Sequence, residues 1–188
     1  MTCSSLPWFA LRVRSQCEKT VAHILRERDY EEFLPLYSSR RRWSDRWKTM
    51  QVPLFAGYLF CRFDPSHRAK ILATPGVMHI AGVGRSPLAV DVEEIEAIRQ
   101  AVQSGQCLEP WNRLQVGNGV RIEEGPLKGL QGVLLRFKGT THLIVNVQLL
   151  RRGVAVEVKE EWVAPAWAGS YITKTGAVDG PYSIETAV

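Results

Sequence analysis

The chain has 188 residues, of which 24 are lysine or arginine and 19 are aspartate or glutamate. A hydrophobic content of 45% and a charged content of 23% are typical of a folded globular protein and exclude a disordered or fibrous chain. The longest stretch without Lys, Arg, Asp or Glu is 14 residues long, at residues 71–84, whereas a transmembrane helix needs about 20. The N-terminus lacks the basic start and the apolar run of a secretory signal, so we expect a cytoplasmic protein with no membrane partner.

The excess of positive charge lies in the segments that are expected to fold. Residues 1–110 carry 15 basic and 12 acidic side chains, and residues 111–168 carry 8 and 5, so each segment has a net charge of +3. The last 20 residues carry one Lys, one Asp and one Glu. A basic folded part is typical of proteins with a polyanionic or acidic partner.

The motifs of the common enzyme classes are absent from the sequence. There is no GxSxG, no P-loop and no HExxH, and Gly82-x-Gly84 continues to Pro87 where a dinucleotide fingerprint needs its third glycine. The four histidines and four cysteines are scattered and form no metal-binding doublet. We therefore expect a protein that is not an enzyme, with free cysteines, no metal and no cofactor.

Strands and helices alternate over the first 100 residues. The apolar spacing predicts strands at residues 8–13, 33–37, 57–63 and 76–81, and helices at residues 16–29, after Asp64 and after Asp91. Pro35 makes residues 33–37 an edge or irregular strand. Asp64-Pro65 is a helix start, and Asp91-x-x-Glu94 is like a capping box. The pattern favours an α+β or α/β sandwich.

The pattern changes after residue 103. Residues 104–113 have Gly, Pro and polar residues without periodicity, which predicts a linker. Short alternating runs separated by glycines follow, and they predict a small β-barrel at residues 114–166. Residues 167–188 are small and polar, and we expect a flexible tail. The sequence therefore predicts an N-terminal domain at residues 6–103, a linker, a barrel and a tail.

The most basic segment of the chain is also aromatic. Residues 37–48 hold five cations, one anion and two tryptophans. Arginines that neutralise phosphates and tryptophans that stack on bases suit a nucleic acid. A solvated hairpin with internal cation–π contacts explains the same residues equally well. The residues concerned are Arg40, Arg41, Arg42, Trp43, Arg46, Trp47 and Lys48.

An apolar run at residues 52–60 has the composition of a core strand, and burial is its simplest explanation. However, Phe55 and Tyr58 flank Gly57, which allows another backbone to approach closely. Trp8 and Phe9 on the first strand could extend the same apolar surface. If this aromatic surface is open, it is an interaction site.

These residues resemble the NusG-like family of transcription factors. The N-terminal match consists of Trp8-Phe9-Ala-Leu-Arg-Val, the Pro53-Leu-Phe-Ala-Gly-Tyr-Leu-Phe60 run and Pro75-Gly-Val77. The segment from Gly119 to Val133 resembles the KOW motif that follows in the same family. The resemblance implies a ferredoxin-like α/β sandwich, the NGN domain, followed by an SH3-like β-barrel, the KOW domain, in an α+β chain that we expect to be a monomer.

The resemblance also implies partners for the N-terminal domain. Family members bind the clamp helices of the largest RNA polymerase subunit through an apolar cavity, and the positions that match it are Trp8, Phe9, Phe55, Gly57 and Tyr58. A second polymerase contact matches His67, Arg68 and Ala69, which differ from the His-Thr-Thr of RfaH. The segment from Arg40 to Lys48 matches one that lies near upstream or non-template DNA.

The KOW domain of the family recruits either Rho or the ribosome, through a small-subunit ribosomal protein. The matching positions are Leu149, Leu150, Arg151 and Arg152. Housekeeping NusG has a phenylalanine near Leu150, so the aliphatic residue favours a specialised antiterminator similar to RfaH, UpxY and LoaP. The housekeeping factor and a free-standing nucleic-acid-binding protein remain alternatives. We expect a constitutive barrel, because residues 143–158 are rich in β-branched side chains.

Overall fold

The computed structural model of the chain describes residues 6–43, 46–84, 86–112, 119–137 and 140–166. It is a mixed α/β structure with many strands and few helices. Among the described residues, no helix has both the length and the apolar composition that a membrane crossing requires. Below, the N-terminal unit is residues 8–103 and the C-terminal unit is residues 108–166.

The N-terminal unit contains nine strands and three helices in its described part. In chain order they are β1 (Trp8–Val13), α1 (Glu18–Glu27), β2 (Glu31–Phe33), β3 (Leu36–Trp43), β4 (Arg46–Pro53), β5 (Tyr58–Arg62), α2 (Arg68–Leu72), β6 (Val77–Ile80), β7 (Gly82–Val83), β8 (Ser86–Pro87), β9 (Ala89–Val90) and α3 (Val92–Gln103). The main sheet has the antiparallel order β2-β5-β1-β6, and β9 also pairs with β1. A short 3-10 helix at Pro65–His67 precedes α2.

The two faces of this sheet are covered by different helices, because successive side chains of a strand point to opposite faces. One face, with Leu11 and Leu59, packs against Val21 and Leu25 of α1. The other face, with Trp8, Ala10 and Phe60, belongs to a cluster with Ile95 and Ile98 of α3. We call the second one the α3 face. Central strands that are buried on both sides explain why residues 8–13 are almost entirely apolar.

Local sequence signals account for several element ends. The carboxylate of Asp64 accepts the N–H of Ser66 at 2.7 Å, so the predicted helix start is present. Asp91 precedes α3 but makes no side-chain cap hydrogen bond, and the predicted capping box with Glu94 is wrong. The predicted strand at residues 33–37 is divided at Leu34 and Pro35, since β2 ends at Phe33 and β3 begins at Leu36.

The C-terminal unit is a six-stranded antiparallel sheet. Its strands are β10 (Leu108–Trp111), β11 (Gly119–Ile122), β12 (Gln131–Phe137), β13 (Thr140–Val147), β14 (Arg152–Glu157) and β15 (Val163–Pro165), in the order β10-β14-β13-β12-β11-β15. Gly132 allows β12 to lie close to β13, because a Cβ at this position would be 2.5 Å from the carbonyl oxygen of Ile144. The short alternating runs of the sequence thus form one sheet.

One strand of this sheet lies inside the segment that the sequence predicts to be a linker. Leu108–Trp111 pairs with β14 over the whole length of β10. The segment 104–113 has no apolar alternation in its sequence, and among the described residues 104–112 only Leu108 is buried. Residues Leu108–Trp111 form a strand because they pair with β14, and not because of their own composition.

The two units share one buried apolar cluster. It includes Phe55 and Ile98 of the N-terminal unit and Leu127, Val147 and Val154 of the C-terminal unit. Strand β13 lies against α3. Helix α3 is therefore covered by the N-terminal sheet on one side and by the C-terminal unit on the other.

The core on the α1 side can be tested with a matched pair of leucines. Leu59 is fully buried in the sheet, so Leu59→Ala should lower the free energy of unfolding by about 2–5 kcal/mol through lost burial and a cavity. The control is Leu72→Ala, at a leucine that is 37% exposed, for which we expect a loss below about 1 kcal/mol. Denaturant unfolding measures both, and equal losses would contradict the assigned core.

Candidate functional site: the contact between the two units

The turn before β5 has a fixed backbone conformation. Gly57 has φ +78°, a left-handed conformation that glycine adopts without strain. Its N–H donates to Oε1 of the buried Glu18 at 2.8 Å, and its carbonyl accepts the N–H of Val13 at 2.9 Å. The N–H of Tyr58 donates to the carbonyl of Phe55 at 2.9 Å. These bonds hold residues 55–58 at one end of the sheet.

Two aromatic rings on the α3 face are each flanked by two arginines. The guanidinium carbons of Arg12 and Arg152 lie 4.8 and 5.6 Å from the centre of the Tyr58 ring. Those of Arg62 and Arg99 lie 4.8 and 5.7 Å from the Trp8 ring. Such cation–π contacts stabilise an aromatic ring, and they are stronger where the pair is shielded from water. Tyr58 is half-buried and Trp8 is buried.

Polar contacts between described residues also join the two units beside the shared apolar cluster. The backbone N–H of Gln148 donates to Oε1 of Glu94 at 3.1 Å. The side-chain amide of Gln100 donates to the carbonyl of Lys128 at 3.0 Å. The guanidinium of Arg152 donates to the carbonyl of Ala56 at 3.4 Å. We call this contact between the units the closed arrangement.

The closed arrangement brings two predicted binding surfaces into contact with each other. Arg152, which the resemblance places in the surface of the KOW domain, touches the Tyr58 ring and the turn at residues 55–58. Leu149 and Leu150 are half-buried against the same apolar cluster that contains Trp8 and Phe55. Arg151 is exposed, with φ +51°. Neither predicted surface is fully accessible in this arrangement.

The structure does not bring all five predicted polymerase-binding residues together. Trp8, Phe55 and Tyr58 belong to the α3 face, with Gly57 between the last two. Phe9 lies on the opposite face, where its ring centre is 4.6 Å from that of Phe63. The reason is the strand alternation, because neighbouring residues of β1 cannot share a face. The expectation of a single surface with both Trp8 and Phe9 is therefore corrected.

The predicted second contact lies at the other end of the unit. His67 ends the 3-10 helix, and its Nδ1 is 3.4 Å from the hydroxyl of Tyr30. Arg68 and Ala69 begin α2 and are exposed. These residues are accessible in the closed arrangement.

The predicted nucleic-acid-binding segment is a β-hairpin of β3 and β4. Its register pairs Arg42 with Trp47 and Arg40 with Thr49, so these four residues lie on one face. Trp47 is 60% exposed, and the guanidinium of Arg40 lies 5.2 Å from its ring. Arg46 and Lys48 are exposed as well, and Arg41 and Trp43 occupy strand positions opposite Lys48 and Arg46. The hairpin presents cations beside an accessible indole ring.

Sequence reasoning missed the residues that hold the units together. The sequence predicts Glu94 only as part of the start of α3, yet its carboxylate contacts Gln148 and is half-buried. Burial, the largest influence, and the neighbouring Asp91 raise the pKa of Glu94 to about 7, although the hydrogen bond from Gln148 lowers it. No local pattern indicates such a contact, because the partners are 54 residues apart.

Within the described ranges, no group of three or more His, Cys, Asp or Glu side chains could hold a metal ion.

Comparison with protein families assigns the chain. A family model with the description "NusG: Transcription termination factor nusG" matches residues 6–99, which is half of the chain. The chain belongs to the NusG family. Members of this family are transcription factors and not enzymes.

Two curated NusG proteins are similar to this chain over most of their length. The transcription termination/antitermination protein NusG of Neisseria meningitidis is 29% identical, over 82% of this chain and 95% of the relative. The protein of the same name from Campylobacter jejuni is 22% identical, over 82% and 94%. A solved structure, "Domain interaction in Thermotoga maritima NusG", has a TM-score of 0.52 at 19% identity and covers 85% of this chain and 96% of that chain. The fold of the described residues is thus that of a NusG structure.

Glu18 provides a test of how the turn at residues 55–58 is held in this NusG-family chain. Glu18→Ala leaves the buried N–H of Gly57 without its acceptor, so the free energy of unfolding should fall by about 1–3 kcal/mol. The same change at Glu27, an exposed glutamate of the same helix, should alter it by no more than about 0.5 kcal/mol. Chemical denaturation measures both variants, and similar values for the two would refute the role of this bond.

Proposed function

We propose that this protein is a transcription elongation and antitermination factor that binds RNA polymerase through the α3 face of its N-terminal unit. The observation that carries the proposal is the Tyr58 ring, which is half-buried beside Trp8 and Phe55 and is contacted in part by the other unit. An aromatic residue next to an apolar cluster is the kind of anchor that dominates protein interfaces. Bound to the clamp helices, the protein would suppress pausing and termination.

In this proposal the N-terminal unit is a ferredoxin-like NGN domain at residues 6–103, and residues 114–166 form an SH3-like KOW barrel. Strand β10 then attaches the second half of the 104–113 linker to the barrel. The segment 167–188, proposed as a flexible tail, lies outside the described residues. The protein acts as a monomer in the cytoplasm, with His67, Arg68 and Ala69 as a second polymerase contact.

The C-terminal unit recruits a further partner through Leu149, Leu150, Arg151 and Arg152. The proposed partners are a small-subunit ribosomal protein, as in specialised antiterminators, or Rho, as in housekeeping NusG. Because Arg152 also contacts the turn at residues 55–58, the closed arrangement competes with both kinds of binding. The Thermotoga maritima structure is described as one of domain interaction, which is in keeping with this competition.

A second candidate function is direct binding of nucleic acid by the β3–β4 hairpin. It is supported by Trp47, which is 60% exposed with the guanidinium of Arg40 beside its ring. Within a polymerase complex the ligand is upstream or non-template DNA. A free-standing nucleic-acid-binding protein would use the same hairpin without polymerase.

Tyr58→Ala tests the polymerase surface. We expect it to weaken binding to purified core RNA polymerase by at least about tenfold, because an aromatic anchor is lost. Arg152→Ala should strengthen binding, since it removes a contact of the closed arrangement. A pull-down at matched salt, with titration of the variants, measures both effects.

The control for this test is Met78→Ala, at an exposed methionine of β6 in the same sheet. It should bind like the wild type, and circular dichroism should show that all three variants are folded. A folded Tyr58→Ala variant with undiminished binding would place the polymerase contact elsewhere.

Trp47→Ala tests the hairpin. Loss of one stacked base should weaken binding to single-stranded DNA by about tenfold, as measured by fluorescence anisotropy. Met50→Ala, which removes an exposed apolar side chain from the same strand, should have little effect. In a plot of the logarithm of the DNA-binding constant against the logarithm of the salt concentration, replacing Arg40, Arg41 and Arg42 with Ser should reduce the slope by about two units. An unchanged affinity in Trp47→Ala together with an unchanged slope in the triple arginine variant would contradict the nucleic-acid proposal.

A further inference from the structure

Glu94 lies on the first turn of α3, on the side that faces the C-terminal unit. Its carboxylate accepts a hydrogen bond from the backbone N–H of Gln148, in the turn that follows β13. The acceptor belongs to one unit and the donor to the other. When the units separate, this turn leaves the carboxylate and water takes its place.

No nearby positive charge among the described residues offsets the cost of burying the Glu94 carboxylate. On its own helix the nearby charges are those of Asp91, Glu93 and Glu96, all acidic. Strand β13 contributes His142, which lies opposite Glu157 on β14. Among the described residues, no cation forms an ion pair with Glu94.

The cations of the facing turns are engaged elsewhere or exposed. Arg152 is directed at the carbonyl of Ala56 and at the Tyr58 ring. Arg151 and Lys128 are exposed. Burial and the like charge of Asp91 therefore dominate, and they raise the pKa of Glu94 to about 7 in the closed arrangement.

The polar contacts described between the units differ in their chemistry. Gln100 contributes an amide, which has no ionisable group, Arg152 contributes a guanidinium and Glu94 contributes a carboxylate. The pKa of Glu94 lies near neutral pH, at about 7. The contact with Gln148 survives protonation, because a neutral carboxyl group still accepts a hydrogen bond.

We propose that closure of the two units is coupled to protonation of Glu94, so that a fall in pH holds the chain closed and a rise towards neutral pH releases it. The coupling concerns the arrangement of the units alone. Its consequence for transcription rests on the proposed function, since opening frees Tyr58 and residues 149–152 for their partners.

The direction of the pH dependence follows from the two pKa values. The pKa of Glu94 is about 7 when closed and returns towards its ordinary value of 4.5 when open, so closing takes up a proton. The ratio of closed to open molecules should therefore fall up to tenfold per pH unit as the pH rises from 4.5 towards 7. Over the whole range the ratio of closed to open molecules should fall on the order of a hundredfold, and it should change little above pH 8.

The experiment is an NMR titration of the full chain from pH 5 to pH 8.5. The amide signal of Gln148 reports whether the units are in contact, and the side-chain carboxyl carbon of Glu94 reports its protonation. We expect both signals to change together between the open-state pKa of 4.5 and the closed-state pKa of about 7. Glu94→Gln keeps an oxygen that accepts the N–H but cannot ionise, so this variant should stay closed over the whole range.

The control is Glu93→Gln, which makes the same change of charge one residue earlier at an exposed position. It should retain the pH dependence of the wild type. Any of three outcomes would overturn the proposal. They are a Gln148 signal of the wild type that does not change with pH, a pH dependence of this signal that survives in Glu94→Gln, and a chain that is open at every pH. None of these readouts involves polymerase, so they are independent of whether Tyr58→Ala affects polymerase binding.

Discussion

The packing of α3 between two layers is the constraint on which the rest of this structure depends. Ile95, Ile98 and Ala101 are fully buried, and they belong to the cluster that joins the N-terminal sheet to the C-terminal unit. A helix with apolar contacts on both sides cannot expose either side without a partner to cover it. Separation of the units therefore exposes apolar surface, and a partner protein that covers this surface favours the separation.

The aromatic residues of the α3 face suit this exchange of partners. Tyr58 is held between Arg12 of its own sheet and Arg152 of the other unit. If the C-terminal unit leaves, Arg12 and the hydrogen bond from Gly57 to Glu18 still hold the ring and the turn in place. The surface is thus organised before a partner arrives, which lowers the entropic cost of binding.

The outer part of the β3–β4 hairpin lies outside both cores, whereas Tyr37 at its base packs against the shared cluster. Its exposed side chains, Arg40, Arg42 and Trp47 among them, face solvent while the units are closed. A nucleic acid could therefore reach the hairpin before the polymerase surface is released. The two proposed kinds of binding depend on different parts of the fold, and substitutions in one should leave the other intact.

The sequence by itself determined those features that depend on neighbouring residues. Periodicity located β1 and β5, the Asp64-Pro65 pair located a helix start, and the family resemblance followed from short motifs on these elements. Tertiary structure decided that Leu108–Trp111 is a strand and that Glu94 contacts Gln148. These features come from contacts between distant segments, and neither spacing nor composition records which segments meet.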